Sequence, residues 1–145
     1  MYNVDVGSLR EYEATAGAVH SLGYHIVWCP KYRKRVLVGS VAARLVVLLN
    51  EKAAENGWTC EAMEVMPDHV HVFVRARPKD SPSFIANQFK GMTSRVLRSE
   101  FPHLRSRIPT MWSKSYFVAS VGRVSEDTIR RYIHEQTTKP VKGKP

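Results

Sequence analysis

The stretch Met66-Pro67-Asp68-His69-Val70-His71-Val72-Phe73-Val74 predicts a tight turn followed by a β-strand. Pro67 and Asp68 suit the centre of a type I turn, because proline fixes φ and aspartate can bond its own backbone. Side chains alternate between the faces of a strand, so the valines point toward a core and His69 and His71 share the other face. Two imidazoles on one face of a rigid strand suit a divalent metal, although a solvated strand face gives the same pattern.

The composition is that of one globular domain with an excess of positive charge. The 145 residues are 43% hydrophobic and 24% charged, with a net charge of +9. Such an excess of Lys and Arg favours an anionic partner, with nucleic acid as the first choice and a membrane surface as the second. A basic protein without an anionic partner can have the same net charge. We expect residues 1–145 to form a single domain, with 1–19 as an N-terminal arm and 139–145 as a flexible tail.

The cysteines and the apolar segments exclude several classes of protein. Cys29 and Cys60 belong to no Cys-x-x-Cys pair, which disfavours a thiolate zinc site or a redox motif. Residues 1–10 lack the apolar core of a signal peptide. The most apolar helical stretch, 41–49, is too short to span a bilayer and contains Arg44. We therefore expect a cytoplasmic protein without a membrane partner.

Hydrophobic periodicity along the chain predicts the order β-α-β-β-α-β-α. The predicted strands are 20–29, 58–66, 69–75 and 112–120, and the predicted helices are 41–56, 83–101 and a last one that follows Ser125 and ends near Thr138. Residues 103–111 are predicted as a loop and 121–124 as a short connector. Antiparallel hairpins with two crossover helices are typical of a ferredoxin-like or RRM-like α+β sheet. Two helices then cover one face, and the last helix is expected to cover the face that carries His69 and His71.

Two basic segments are candidates for contact with nucleic acid. After the first strand come Lys31, Tyr32, Arg33, Lys34 and Arg35, in which cations surround an aromatic ring that can stack on a base. On the second helix, Lys90, Arg95 and Arg98 form a basic face. Solvated loops and helix faces have the same composition, so the sequence leaves both interpretations open.

The last helix carries two further candidates, Tyr132 and Gln136, which share a face because they are four residues apart. Tyr132 could act as a nucleophile, and the amide oxygen of Gln136 could be a third metal ligand. Two imidazoles and one amide oxygen would leave Mg²⁺ or Mn²⁺ open positions for phosphate oxygens. A tyrosine and a glutamine on a surface helix are also common without any function. Asp68 could orient a ligand histidine or only form the turn, and of these two roles we expect the turn. We expect His25 to be an ordinary strand residue.

The segment His69-Val70-His71 is an HUH motif (His, hydrophobic, His), and Tyr132 with Gln136 follows near the C-terminus. Together they resemble the single-tyrosine HUH transposases of small bacterial insertion sequences, with REP-associated tyrosine transposases as near relatives. The resemblance spans nearly the whole chain and includes the strand that leads into the basic segment at Lys31 and the closing tyrosine helix.

The resemblance implies an enzyme that cleaves and rejoins single-stranded DNA at the ends of its element. Tyr132 would form a 5′-phosphotyrosine, and His69, His71 and Gln136 would hold Mg²⁺ or Mn²⁺. The family also implies recognition of imperfect DNA hairpins and a homodimer in which one subunit's tyrosine helix can complete the partner's site. Two alternatives stay open: a catalytically unused or domesticated hairpin-binding protein, and a metal-dependent phosphodiesterase that uses water in place of Tyr132.

Overall fold

The computed structural model describes residues 13–15, 18–20, 22–120 and 126–137 of the chain. A two-stranded hairpin of β1 (Glu13–Thr15) and β2 (Ala18–His20) precedes a four-stranded sheet. The strands of that sheet are β3 (Leu22–Trp28), β4 (Thr59–Met66), β5 (His69–Ala76) and β6 (Phe117–Ser120). They pair antiparallel in the order β4-β5-β3-β6. This order confirms the predicted ferredoxin-like α+β sheet.

Helices α1 (Gly39–Glu55) and α2 (Pro82–Glu100) share one core with the central strands. Trp28 and Val72 from the sheet are fully buried beside Leu45 of α1 and Phe89 of α2. The rings of Trp28 and Phe89 stack with their centroids 6.0 Å apart. Apolar residues at helical spacing thus cover one face of the sheet, as the sequence predicts. Within the described ranges, no helix is long and apolar enough to cross a membrane.

Helix α4 (Glu126–Glu135) contacts the opposite face of the sheet at Phe117. On this helix, the ring of Tyr132 lies 5.9 Å from that of Phe117, measured between centroids. Phe117 is paired with Val27, which in turn is paired with His71. Val70, Val72 and Val74 lie in the core on the other side, which confirms the predicted alternation along β5. The side chains of Tyr132 and His71 therefore lie on the same face of the sheet.

The prediction of a strand over 112–120 is wrong in its first half, because β6 begins only at Phe117. Trp112 makes a single bridge with Pro30. After it, the backbone carbonyls of residues 113–115 accept hydrogen bonds from the Lys90 ammonium instead of joining the ladder. A side chain from α2 thus bonds the carbonyls of this segment, while the backbone N–H of Ser113 donates to the carbonyl of Cys29 at 2.9 Å.

The prediction of a loop over 103–111 is also wrong in part, because α3 (Pro102–Arg107) is a short helix. Pro102 suits the first helical position, where no backbone donor is needed, and Leu104 is fully buried. The hairpin of β1 and β2 lies in the segment predicted as an N-terminal arm, except for His20, which the sequence predicts as the start of the first strand. The predicted connector 121–124, Ser125 and the tail 139–145 fall outside the described residues.

Candidate active site

The turn between β4 and β5 places the first histidine and orients it. His69 is paired with Met66 at the end of the hairpin. Its Nδ1 lies 2.9 Å from Oδ1 of Asp68, and the other carboxylate oxygen accepts from Nε of Arg33 at 2.9 Å. A carboxylate on one ring nitrogen directs the other nitrogen, Nε2, toward a ligand and raises its basicity. The expectation that Asp68 only forms the turn is therefore wrong.

The Asp68 carboxylate is stabilised in its charged form. Burial raises the pKa of Asp68, but the hydrogen bond and charge of His69, followed by Arg33, outweigh this and hold the pKa below its ordinary value. The carboxylate is therefore ionised at neutral pH, which is the state that orients His69.

The second histidine is kept neutral. His71 is buried, and its Nε2 lies 3.2 Å from Nδ1 of His25 on the adjacent strand. Burial, followed by the neighbouring imidazoles of His25 and His69, lowers the pKa of His71 to about 3. A metal binds the neutral form of imidazole, so His71 is in the protonation state that ligation requires.

Sequence reasoning missed His25 as part of this site. The register pairs Val27 with His71, so His25, two residues earlier on β3, lies on the same face as His71 and diagonal to it. A bond between two imidazoles needs one donor and one acceptor, so His25 selects the tautomer of His71. The signal was available: His25 alternates with Tyr24 and Ile26, and the predicted fold places this strand beside β5.

The candidate nucleophile, Tyr132, contacts the segment before β6. Its hydroxyl lies 3.0 Å from Oγ of Ser115. Burial raises the pKa of Tyr132 to about 12, and the hydrogen bond with Ser115 offsets this rise only in part. At neutral pH the phenol is therefore protonated in this arrangement. Helix α4 is also tied to the histidine turn, because Nη1 of Arg33 donates to the carbonyl of Ile133 at 3.4 Å.

The Gln136 amide is engaged by the same segment. Its Oε1 accepts from Oγ of Ser115 at 3.1 Å, and its Nε2 donates to the backbone carbonyl of Tyr132 at 3.3 Å. The oxygen that the sequence assigns to a metal thus bonds Ser115 here. The structure brings Tyr132 and Gln136 together, as predicted, and the contacts that it shows between α4 and the histidine turn run through Arg33.

The residues present fit a divalent metal as a partial ligand set. His71 is neutral and His69 is oriented by a carboxylate, which are the conditions under which imidazoles ligate. Across the described residues, no group of three or more His, Cys, Asp or Glu side chains is close enough to hold a metal ion. Further ligands would therefore have to be an amide oxygen, phosphate oxygens or water, which suits Mg²⁺ or Mn²⁺.

The first basic segment forms a 3-10 turn at Lys31–Arg33 with an unusual backbone. Tyr32 and Arg33 have φ angles of 60° and 55°, in the left-handed region that non-glycine residues rarely occupy. Lys31 lies over the Tyr32 ring, with its Nζ 5.3 Å from the centroid. Lys34 and Arg35 follow and are exposed, so they can reach a phosphate backbone, whereas Arg33 is bound to Asp68.

The basic face predicted on α2 does not exist as a uniform surface. Lys90 is half-buried and donates to the carbonyls of Ser113 and Ser115, at 2.9 Å each. Burial lowers its pKa to about 8. Arg98 donates to the carbonyls of Ile108 and Pro109. Only Arg95 of these three cations is exposed. Lys90 and Arg98 therefore hold the chain after α2 in place.

Comparison with known proteins gives a consistent family. The sequence model described as "Transposase IS200 like" matches residues 18–136. The chain is similar to the ISDra2 transposase TnpA of Deinococcus radiodurans, with 38% identity over 125 residues that cover 85% of this chain and 89% of the relative. It is also 30% identical over 139 residues to the transposase for insertion sequence element IS200 of Salmonella typhimurium, covering 84% of this chain and 87% of the relative.

Solved structures agree with this result. A Deinococcus radiodurans protein assigned as a transposase superposes with a TM-score of 0.80 at 36% identity, covering 86% of this chain and 97% of that one. A REP-associated tyrosine transposase bound to a REP hairpin superposes with a TM-score of 0.51 at 14% identity, covering 83% of this chain and 67% of that one, which supports the fold alone. Since the family model spans most of the chain and the curated relatives are matched over nearly their whole length, the chain belongs to the IS200-like transposase family.

Proposed function

We propose that this DNA transposase cleaves and rejoins single-stranded DNA through a 5′-phosphotyrosine formed on Tyr132. One observation carries the proposal: α4 places Tyr132 over the sheet face that holds the HUH histidines, and Arg33 joins that helix to the histidine turn. The Tyr132 hydroxyl and the Gln136 amide share Ser115 as a hydrogen-bond partner, so the two candidate residues belong to one polar network.

In the cleavage step, the phenol of Tyr132 loses its proton and its oxygen forms a bond to the scissile phosphorus. The bond from phosphorus to the 3′ oxygen breaks, and that oxygen takes up a proton as the free 3′-OH. The phosphotyrosine keeps the ester bond energy, so a 3′-OH from another cleaved end can reverse the step and rejoin DNA without a nucleotide cofactor.

His69 and His71 would hold Mg²⁺ or Mn²⁺ in this proposal, with Gln136 as the third protein ligand. When bound, the ion stabilises negative charge on the scissile phosphate and on the leaving oxygen. Asp68 and His25 orient the two imidazoles. The amide oxygen of Gln136 has two acceptor sites, so it can keep its bond from Ser115 and still offer a lone pair to the ion.

The DNA substrate is proposed to be an imperfect hairpin with an adjoining single strand. The net charge of +9 favours a polyanion, and Lys34 and Arg35 are exposed beside the site. The REP-associated transposase of similar fold is bound to a REP hairpin, and we propose the same class of partner for this chain.

We extend the proposal to a homodimer with shared sites, in which one subunit's α4 serves the partner's histidines. In the single chain, the Tyr132 hydroxyl bonds Ser115, which lies just before β6 of the same subunit. Mixing Tyr132→Phe subunits with His71→Ala subunits tests the exchange. Shared sites predict partial recovery of cleavage, because one site in a mixed dimer has both groups. No recovery at any mixing ratio would contradict sharing.

The chemistry itself is tested by incubating the protein with labelled single-stranded DNA from the ends of its element and Mg²⁺, followed by a denaturing gel. We expect a covalent adduct with the wild type and with the control variant Tyr24→Phe, and none with Tyr132→Phe. His69→Ala and His71→Ala should lose cleavage and keep hairpin binding.

Two outcomes would favour the alternatives. Cleavage that persists in Tyr132→Phe would indicate a phosphodiesterase that uses water. Tight hairpin binding without any cleavage by the wild type would indicate a binding protein whose chemistry is unused.

A further inference from the structure

A small pocket lies beside the candidate nucleophile. Its volume is about 220 Å³, and its walls are Lys31 and Tyr32 of the 3-10 turn, residues 113–115, and Glu135 and Gln136 at the end of α4. Ser115 belongs to this wall and bonds the Tyr132 hydroxyl at 3.0 Å, so the pocket adjoins the reacting atom. Sites for drug-sized ligands usually exceed ~300 Å³. The volume of this pocket therefore suits one planar ring system.

The chemistry of the walls narrows the ligand class. Lys31 and Lys114 contribute two cations against the single carboxylate of Glu135, so the pocket favours an anion. Tyr32 contributes an aromatic ring, on which a flat ligand can stack. Ser115 and Gln136 are already bonded to Tyr132 and to each other, so the walls favour a ligand by its flat face and its charge. A flat ring attached to negative charge describes a nucleotide.

The backbone beneath Tyr32 supports a functional use of its ring. Tyr32 and Arg33 are consecutive non-glycine residues with φ angles of 60° and 55°. Such left-handed conformations are unfavourable and persist only where the surrounding structure imposes them, often at binding sites. Here Arg33 is fixed by Asp68 and by the carbonyl of Ile133. These bonds hold the turn in the conformation that makes Tyr32 part of the pocket wall.

We propose that this pocket receives one unpaired nucleobase of the DNA strand, adjacent to the scissile phosphate, with Tyr32 as its stacking partner. Lys114, at the same wall, is the cation for the phosphate that follows the base. The inference rests on the proposed function, because it assumes that Tyr132 is the residue that attacks. It adds a protein contact that fixes the scissile phosphate in register with the nucleophile.

The test is a double-mutant cycle that combines removal of one DNA base with removal of the Tyr32 ring. Single abasic nucleotides are placed at each position around the cleavage site, and the rate of adduct formation is measured for the wild type, Tyr32→Phe and Tyr32→Leu. Stacking of one base on an aromatic ring corresponds to a factor of about 5 to 150. We expect one abasic position flanking the cleavage site to slow the wild type and Tyr32→Phe by such a factor. In Tyr32→Leu the same abasic position should cause no further loss.

An abasic effect of equal size in Tyr32→Leu and the wild type would overturn the proposal, as would the absence of any sensitive position in the wild type. A rate that depends on added free mononucleotide would also overturn it, because the ligand would then not belong to the strand.

A second readout needs no cleavage and so separates this inference from the proposed function. 2-Aminopurine is placed at each position of the bound strand, and its fluorescence is expected to be quenched at one position by the wild type and Tyr32→Phe but not by Tyr32→Leu. Equal fluorescence with all three proteins would contradict the pocket assignment. Failure of adduct formation on intact DNA, by contrast, would contradict only the role of Tyr132.

Discussion

Replacing Lys90 by methionine should damage cleavage without weakening DNA binding. The Lys90 ammonium donates to the carbonyls of Ser113 and Ser115 at 2.9 Å each, and to that of Lys114 at 3.4 Å. It lies 5.6 Å from the centroid of the Tyr116 ring. Lys90→Met keeps most of the aliphatic stem and removes all of these bonds at once. The segment that holds Tyr132 through Ser115 then loses its anchor to α2.

The expected size of the effect follows from these contacts. A hydrogen bond to a charged group contributes about 1.5–3 kcal/mol, and burial of the ammonium offsets part of it, so we expect a net loss of about 2 kcal/mol in unfolding free energy. For a domain of this size, that lowers Tm by roughly 4–8 °C. Displacement of Ser115 by about 1 Å should lower the rate of adduct formation by about 10- to 100-fold at saturating DNA.

The assay measures Tm, hairpin affinity as a function of salt, and the adduct rate for Lys90→Met, Lys90→Arg and Arg95→Met. Lys90→Arg should recover part of the rate, since it restores a cation at this position. Arg95 is exposed on the same helix, so Arg95→Met should leave Tm unchanged. If Lys90 instead contacted a DNA phosphate, Lys90→Met would lower the slope of log hairpin affinity against log salt by about one. Weaker, less salt-dependent hairpin binding by Lys90→Met with an unchanged adduct rate would refute this reasoning.

Three further predictions concern the histidine turn and the basic segment. Asp68→Asn should lower Mn²⁺ affinity by about 10- to 100-fold in a metal titration, because the carboxylate that orients His69 is lost; unchanged affinity would contradict that role. Since the pKa of His71 is lowered to about 3, the unfolded chain binds a proton at His71 between about pH 6.5 and pH 3 that the folded chain does not, so stability falls as pH falls through this window. His71→Gln should lower the slope of unfolding free energy against pH in this window, by an amount that corresponds to up to about one proton taken up on unfolding. An identical slope in the variant and the wild type would argue against a buried neutral imidazole at His71. Lys34→Ala should lower the slope of log affinity against log salt by about one for hairpin DNA, and an unchanged slope would remove Lys34 from the interface.

The fold could be predicted because the burial of one face of each strand and helix determines the spacing of apolar residues along the sequence. The valines of β5 alternate with the histidines, and Phe89 of α2 lies on an apolar helical stripe. Both patterns are local, so the sequence displays them directly. The order of the elements then restricts the topology to a few choices, of which the ferredoxin-like sheet is one.

The errors occur where a distant side chain determines the local backbone. Residues 113–115 precede the alternation of Tyr116 and Val118 with Phe117 and Ala119 and are predicted to belong to the same strand, yet their carbonyls bond Lys90 from an earlier helix. Nothing in the local pattern records that bond. For the same reason, Lys90 and Arg98 resemble a solvated basic face in the sequence, although each is used to hold the chain that packs against α2.

The candidate site was predictable in its principal residues and not in their supporting contacts. The spacing of the histidines placed both on one strand. The spacing of Tyr132 and Gln136 predicted that they lie together, which they do, although α4 ends at Glu135, one residue before Gln136. The partners of these residues come from other parts of the chain. Arg33 reaches Asp68 from 35 residues away and His25 reaches His71 from 46 residues away. The predicted strand order already places the His25 strand beside the His71 strand, but the register that brings the two rings together comes from the folded structure. The Arg33 pairing depends on the position of the 3-10 turn, which the sequence does not predict.

The most direct test of the central claim is the polarity of the covalent bond to DNA. Two substrates are prepared from the same single-stranded element end, one labelled at its 5′ terminus and the other at its 3′ terminus, and each is incubated with the protein and Mg²⁺. A 5′-phosphotyrosine on Tyr132 predicts that the 3′-terminal label migrates with the protein and that the 5′-terminal label is released on a free fragment. Release of both labels as free DNA, or attachment of the 5′-terminal label to the protein, would contradict the account.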